Sequence, residues 1–288
     1  MPESHPVELL ASCWTTAGNA GPSLGDERSP FALPARIEAA ARAGYRGFGI
    51  VHADLVAAEA TFGFEGITAM LESNDIVHLE LEMLGDWFAT GARREASDRV
   101  RRDLLRAAER LHPRQIKVGA EIDGHEWPWE QLVTDFAELC RQAAEAGTRI
   151  ALEPMPFGQI KDPALGRRLV DEAGQPNGGL MVDLWHVARG GVDFAAIRRL
   201  PERYIFAVEL DDADDQVRGK TLWDDTLDFR RLCGKGDLDV AGFIAAIRAT
   251  GYAGPWGVEI LSEDFRQLPL EEQASRSFQT AMSMFTAG

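Results

Sequence analysis

Four acidic residues interrupt short apolar runs at points where a buried strand would normally carry none. They are Glu153 in IALEPMP, Asp183 in LMVDLWH, Glu209 in FAVELDD and Glu259 in WGVEIL. A single ionised carboxylate is costly to bury, so four carboxylates in one place would require a counter-cation. Oxygen ligands suit Mn2+ or Mg2+ better than the softer zinc sites built from Cys and His. The pattern therefore predicts that these four residues bind one divalent metal.

Each acid also has a simpler interpretation. An acidic residue at the end of a strand can cap the following helix or pair with an arginine. Glu209 is the least distinctive of the four, because VELDDADD is an acidic run that could form the solvated edge of a loop. The metal hypothesis therefore requires a fold that brings all four acids together.

The chain alternates between short β-branched or aromatic runs and amphipathic stretches rich in Ala and Arg. The predicted strands occupy residues 7–14, 46–53, 77–84, 114–121, 149–155, 179–186, 204–210 and 256–261. Eight strand–helix units in 288 residues favour a closed (β/α)8 TIM barrel, which takes roughly 250 residues. We expect residues 1–288 to form a single domain, since no Pro-, Gly- or Ser-rich linker divides them. An open doubly wound sheet is the alternative, but no glycine-rich phosphate loop follows an early strand.

The four acids fall on the last four predicted strands, at intervals of 30, 26 and 50 residues. The first two intervals match one strand–helix unit, and a long polar loop over residues 211–237 stretches the third. In a TIM barrel the carboxyl ends of the strands carry the active-site residues. We therefore expect the metal site at this end of the barrel.

Composition excludes several classes of function. The chain has 46 acidic and 30 basic residues and a net charge of −16, which would repel nucleic acid. No run of about 18 apolar residues predicts a membrane span. The beginning, MPESHPVELLASCW, is a poor signal peptide, and three widely spaced cysteines fit reduced thiols. We expect a cytoplasmic protein with a small-molecule partner.

Other residues could line a pocket at the same end of the barrel. His52 ends the second predicted strand and Trp14 ends the first, where its ring could stack on a sugar; a loop histidine and a core tryptophan are the alternatives. Arg231 is a candidate for binding an anionic or polyhydroxylated substrate, and a surface arginine is the alternative. Strands 3 and 4 carry four charged residues, Glu80, Glu82, Lys117 and Glu121. The sequence does not decide which of these side chains point into the barrel.

Five aromatic residues fall in predicted loops: Trp87, Phe88, Trp127, Trp129 and Trp223. Together they could form an apolar lid over the barrel and favour an aromatic or glycoside-like substrate. The same rings could instead form a subunit interface, so a homo-oligomer is an alternative interpretation.

Several segments resemble the xylose isomerase-like superfamily of sugar isomerases and epimerases. The similar segments are LEPMP, VDLWH, GKGDLD and GYAGPWGVEI, which come in the order of that family. The resemblance implies that Glu153, Asp183 and Glu259 are metal ligands, and that His186 contacts a substrate oxygen beside the metal. The family usually has a His at the strand-7 ligand position, where this chain has Glu209. An all-carboxylate set of ligands would weaken the Lewis acidity of the metal.

The resemblance implies a metal-dependent isomerase or epimerase of a sugar or keto-polyol, acting through a metal-bound enediolate. Glu153 and Glu259 would remove and return the proton. If a β-hydroxyl leaves instead, the enzyme is a lyase, either a dehydratase or a β-eliminating enzyme for a keto-sugar, an inosose or a 3-keto-glycoside. A phosphodiester-cleaving enzyme would need more His ligands and a basic groove. A non-catalytic sugar-binding barrel is the alternative from another class.

Overall fold

Eight parallel strands close into a barrel in the order of the sequence, with β1 paired to both β2 and β8. The computed structural model describes residues 6–286. The strands are β1 (Leu9–Ala11), β2 (Gly47–Val51), β3 (His78–Leu84), β4 (Gln115–Gly119), β5 (Ile150–Glu153), β6 (Gly178–Asp183), β7 (Ile205–Leu210) and β8 (Trp256–Val258). This arrangement confirms the predicted (β/α)8 fold and the position of every predicted strand.

Helices follow the strands and surround the barrel. They are α1 (Leu33–Ala43), α2 (His52–Ser73), α3 (Gly91–Leu111), α4 (Trp129–Glu145), α5 (Pro163–Ala173), α6 (Leu184–Arg189), α7 (Phe194–Ile197), α8 (Leu222–Asp228), α9 (Val240–Arg248) and α10 (Leu270–Thr286). Within residues 6–286 no helix is both long and apolar enough to cross a membrane.

The sixth strand is shorter than predicted because an acidic residue ends it. The prediction extended the strand to residue 186, but β6 ends at Asp183 and α6 begins at the next residue. The Asp183 carboxylate accepts a hydrogen bond from the backbone N–H of His186 at 2.8 Å and so caps α6. The cap places His186 in the first turn of α6, three residues after Asp183.

Large side chains fill the barrel where neighbouring strands carry glycine. A Cβ on Gly47 would lie 2.7 Å from the side chain of Leu10, and one on Gly179 would lie 2.6 Å from the ring of Phe206. Both distances are too short for any side chain, so these glycines leave room for the residues that close the barrel floor. The floor in turn supports the charged residues nearer the mouth.

Candidate metal centre and active site

The four acids converge at the carboxyl ends of the last four strands. Glu153 and Asp183 are the final residues of β5 and β6, Glu209 is the second-last residue of β7, and Glu259 directly follows β8. Asp183 lies opposite Glu209 in the strand register, and Glu209 lies opposite Gly257. One carboxylate oxygen from each acid lies within 4.8 Å of the others.

These carboxylates lie inside the protein rather than on a loop edge. None of the four acids is more than 5% exposed, and Glu209 is completely buried. Gly257 makes space for Glu209, since a Cβ there would lie 2.7 Å from Glu209 Cγ. Glu209, the first acid of VELDDADD, is therefore not at the solvated edge of a loop.

Lys117 on β4 supplies a counter-charge that the sequence argument did not assign. Its ammonium lies 2.7 Å from both Glu82 Oε2 and Glu209 Oε1, and 3.7 Å from Glu259 Oε1. Burial acts to lower the pKa of Lys117, but Glu209, Glu82 and Glu259 outweigh it and hold this pKa well above its ordinary value. Both Glu82 and Lys117 face the interior, so the protein contributes its own cation to the acidic cluster.

Arg230 supplies a second counter-charge on the other side of the cluster. Its Nη1 lies 2.7 Å from Asp183 Oδ2 and 3.2 Å from Glu259 Oε2, and it also pairs with Asp211. The sequence favoured the next residue, Arg231, as a substrate contact, but the structure places Arg231 at the surface in an ion pair with Asp214. The backbone is extended here, so successive side chains point in opposite directions and only one of the two arginines can face inward.

The local charges divide the four acids into two pairs. Burial acts to raise the pKa of Glu153, but Lys117 and a hydrogen bond from His186 lower it below its ordinary value. Arg230 likewise outweighs burial and lowers the pKa of Asp183. Burial, with other acids nearby, raises the pKa of Glu259 to about 7 and that of Glu209 well above its ordinary value. Two carboxylates that favour ionisation, Glu153 and Asp183, thus lie beside two that favour a proton, Glu209 and Glu259. A bound cation could take the place of those protons.

His186 lies beside the acids on the first turn of α6. Its Nε2 is 3.3 Å from Glu153 Oε1, and its ring packs edge-on against Trp185 and Phe157. The Nδ1 atom is buried and has no hydrogen-bond partner in the described part of the chain. With Glu153 and Asp183, His186 forms a second group whose ligand atoms lie within 4.8 Å of one another.

A narrow pocket of about 60 Å3 opens above the acids. Charged and polar side chains form its base, including Glu82, Lys117, Glu153, His186, Arg230 and Glu259. Its rim is largely apolar and includes Trp14, Met83, Ile122, Phe157, Trp223 and Leu261. This volume has room for a few water molecules, so a sugar-sized ligand would require the rim side chains to move.

Not every predicted site residue reaches this pocket. Trp14 lines it, but His52 begins α2 and its Nε2 lies 3.0 Å from Asp103 on α3. Among the five loop aromatics only Trp223 lines the pocket in the described structure. Trp87 and Phe88 are buried in the main core, so the predicted aromatic lid is wrong for these two. Their positions after β3 did not reveal that α3 and α4 cover them.

The glycine-rich segment before α9 is held by a buried acid that sequence reasoning did not single out. Asp212 accepts hydrogen bonds from the backbone N–H groups of Gly236 at 2.9 Å, Leu238 at 3.0 Å and Ala213 at 2.8 Å. A Cβ on Gly236 would lie 2.3 Å from the Ala213 carbonyl oxygen, so glycine is required there. Asp212 therefore fixes the loop that follows Arg230 and Arg231.

Comparison with known proteins places the chain in a family. The family described as xylose isomerase-like TIM barrel matches residues 37–284, and the chain belongs to it, as the resemblance predicted. A 3-dehydroshikimate dehydratase from Pseudomonas putida is 30% identical over 251 residues, which cover 84% of this chain and 38% of the relative. The chain thus spans less than half the length of the dehydratases that it matches.

Two further proteins similar to this chain have lengths closer to its own. An inosose isomerase from Halalkalibacterium halodurans is 25% identical over 154 residues, or 53% of each chain. The crystal structure of the IOLI protein with a bound zinc atom superposes with a TM-score of 0.83 at 18% identity, covering 97% of this chain and 98% of that one. At this identity the superposition supports the fold alone.

Proposed function

We propose that this chain is a metal-dependent enzyme that removes a proton beside the carbonyl of a small keto-polyol and returns it to give an isomer or epimer. The observation that carries the proposal is the convergence of four buried carboxylates at the carboxyl ends of β5 to β8, two of which, Glu153 and Glu259, line the pocket. A cluster with this many buried acids needs cations, and Lys117 and Arg230 leave part of the charge uncompensated.

The residues at the site fit a divalent cation. Glu153, Asp183, Glu209 and Glu259 would hold it with oxygen atoms, which suits Mn2+ or Mg2+. The buried Oε2 atom of Glu209 has no hydrogen-bond partner among residues 6–286, so it is available as a ligand. A divalent cation bound here would polarise a substrate carbonyl and acidify the neighbouring C–H. The zinc atom in the IOLI structure makes zinc a competing metal to test.

The side chains around the pocket can divide the remaining tasks. Glu153 and Glu259 come from the first and last of the four ligand strands, so they can approach a bound substrate from opposite sides. One would remove the proton and the other would return it. His186, beside Glu153, would donate a hydrogen bond to the oxygen on which negative charge develops. The apolar rim would limit access of water to the enediolate.

Solvent exchange tests this proposal directly. The purified protein, with and without added Mn2+, would be incubated with ketoses, inososes and 3-keto-glycosides in deuterated water and followed by NMR. We expect metal-dependent deuterium incorporation at the carbon beside the carbonyl. His186→Ala should retain the metal and lose most turnover, at least about 100-fold, because a single hydrogen-bond donor to a developing oxyanion commonly contributes that much. Turnover without exchange would contradict the proposal, and sugar binding without turnover would support a non-catalytic barrel.

A dehydratase is the second candidate, and the 30% identity to the Pseudomonas putida 3-dehydroshikimate dehydratase over 84% of this chain favours it. Elimination begins with the same proton removal and ends with departure of a β-hydroxyl instead of return of the proton. Mass spectrometry of the same reactions, with 3-dehydroshikimate added to the panel, separates the two outcomes. Loss of water identifies a dehydratase, and an unchanged mass with a changed NMR spectrum identifies an isomerase or epimerase.

A further inference from the structure

The two oxygen atoms of Glu209 have different surroundings. Oε1 accepts hydrogen bonds from the Ser12 hydroxyl and from the Lys117 ammonium, the latter at 2.7 Å. Oε2 is buried and has no hydrogen-bond partner in the described residues. One oxygen of Glu209 is therefore occupied by the protein, and only the other is available to a cation.

Two buried carboxylates hold the Lys117 ammonium in place. Besides Glu209 it contacts Glu82 Oε2 at 2.7 Å, and the other Glu82 oxygen accepts a hydrogen bond from the Cys13 backbone N–H at 3.1 Å. Lys117 is only 1% exposed, so little water can compete for its charge. The ammonium cannot easily turn away when a cation binds nearby.

From this geometry we propose that Lys117 and Glu209 act together as one monodentate metal ligand of reduced negative charge. Oε2 of Glu209 is the single donor atom, and the Lys117 ammonium, which Glu82 shares at the same distance, offsets part of the charge of the carboxylate. The pair thus offers one donor atom, as a neutral imidazole does, and less charge than a carboxylate without a partner. The proposal rests on the metal site of the proposed function.

The consequence is that the four acids present less negative charge to the metal than their number implies. A cation that keeps more of its positive charge is a stronger Lewis acid towards a substrate carbonyl. Lys117 is then a positioning residue that acts through Glu209. Its removal should strengthen metal binding, whereas loss of a purely structural residue would weaken it or leave it unchanged.

The test compares Mn2+ affinity by isothermal titration calorimetry in the parent, Lys117→Met, Glu209→His and the double variant, each stripped with EDTA. Lys117→Met should bind Mn2+ about tenfold or more tightly, because a buried positive charge beside the cation is gone. Its thermal unfolding temperature without metal should fall, since the acids lose a counter-charge. Lys161→Met, at an exposed position, is the control and should change neither quantity.

The Glu209 variants test the pairing itself. Glu209→His alone should bind Mn2+ about tenfold or more weakly, because the Lys117 ammonium beside the cation then has Glu82 but no longer Glu209 to offset its charge. Adding Lys117→Met should restore affinity to within about threefold of the parent, less than 1 kcal/mol. If Lys117→Met does not fold, Lys117→Gln, which keeps an N–H donor, should show the same gain in affinity.

Each contrary result is distinguishable. Weaker or unchanged Mn2+ binding in the Lys117 variants, or Glu209→His binding as tightly as the double variant, would overturn the paired-ligand proposal and leave the metal site intact. A parent protein that binds neither Mn2+, Mg2+ nor Zn2+ would overturn the proposed function and this inference together.

Discussion

Replacing Glu80 with Gln should stabilise the protein at pH 8 and not at pH 5. Glu80 lies on β3 at the barrel floor, below Glu82, and is almost completely buried. Gln115 donates a hydrogen bond to its Oε1, whereas Oε2 has no partner among the residues that the structure describes. Burial raises the pKa of Glu80 from 4.5 to about 7, with Lys117 opposing the change.

The sign and size of the effect follow from linkage. A carboxyl whose pKa is raised in the folded state binds a proton more tightly there than in the unfolded state. The folded protein therefore loses stability as pH rises from about 4.5 to 7, by about 3 kcal/mol at about 1.36 kcal/mol per pH unit. The glutamine amide has no charge to bury, but its unpaired N–H group costs about 1 kcal/mol. The expected net gain for Glu80→Gln at pH 8 is about 2 kcal/mol.

Urea denaturation at pH 5 and pH 8 measures this difference. Glu72→Gln, at an exposed position on α2, is the matched control and should change stability by less than about 0.5 kcal/mol at either pH. The comparison of variant with parent cancels the titration of the other buried acids. An equal effect of Glu80→Gln at both pH values would refute the reasoning, because the charge of Glu80 would then not change over this range.

Three further substitutions, with one surface control, test the site and its support. Arg230→Met should abolish most turnover and cost about 3–5 kcal/mol of stability, since it leaves buried acids unpaired. Arg231→Met is the control, and it should leave turnover within about twofold in the same assay. Its ion pair lies at the surface and is worth under about 1 kcal/mol. Gly257→Ala should place a Cβ against Glu209 and weaken Mn2+ binding about tenfold by calorimetry, with about 1–3 kcal/mol lost in urea denaturation. Asp212→Ala should cost about 2–3 kcal/mol in urea denaturation, because three backbone N–H groups lose their acceptor. An unchanged affinity in Gly257→Ala or an unchanged stability in Asp212→Ala would contradict the respective explanation.

Much of the fold was predictable because the strands are buried on both faces. Near-continuous apolar runs gave the position of all eight strands to within a few residues, and the acids within these runs marked the cluster at the mouth. The end of β6 was missed because the cap at Asp183 depends on a side-chain hydrogen bond rather than on hydrophobicity.

The contacts between strands were less predictable than the strands. Lys117 and Glu82 both face inward, but in a strand buried on both faces the alternation of residue types does not decide the direction of a side chain. The choice between Arg230 and Arg231 depended on the same question, because adjacent side chains in an extended backbone point in opposite directions. Nothing in the sequence showed which of the two arginines points inward. His52 was placed at a strand end, but it lies on the side of α2 that faces α3.

Crystals grown with Mn2+, with anomalous diffraction recorded at the manganese edge, test the central claim most directly. We predict a single anomalous peak at the carboxyl ends of β5 to β8, about 2.0–2.3 Å from an oxygen atom of each of four residues. These are Glu153, Asp183, Glu209 and Glu259, with Oε2 as the contributing atom of Glu209. A peak elsewhere, or no peak while Lys117 and Arg230 remain paired with these acids, would contradict the account.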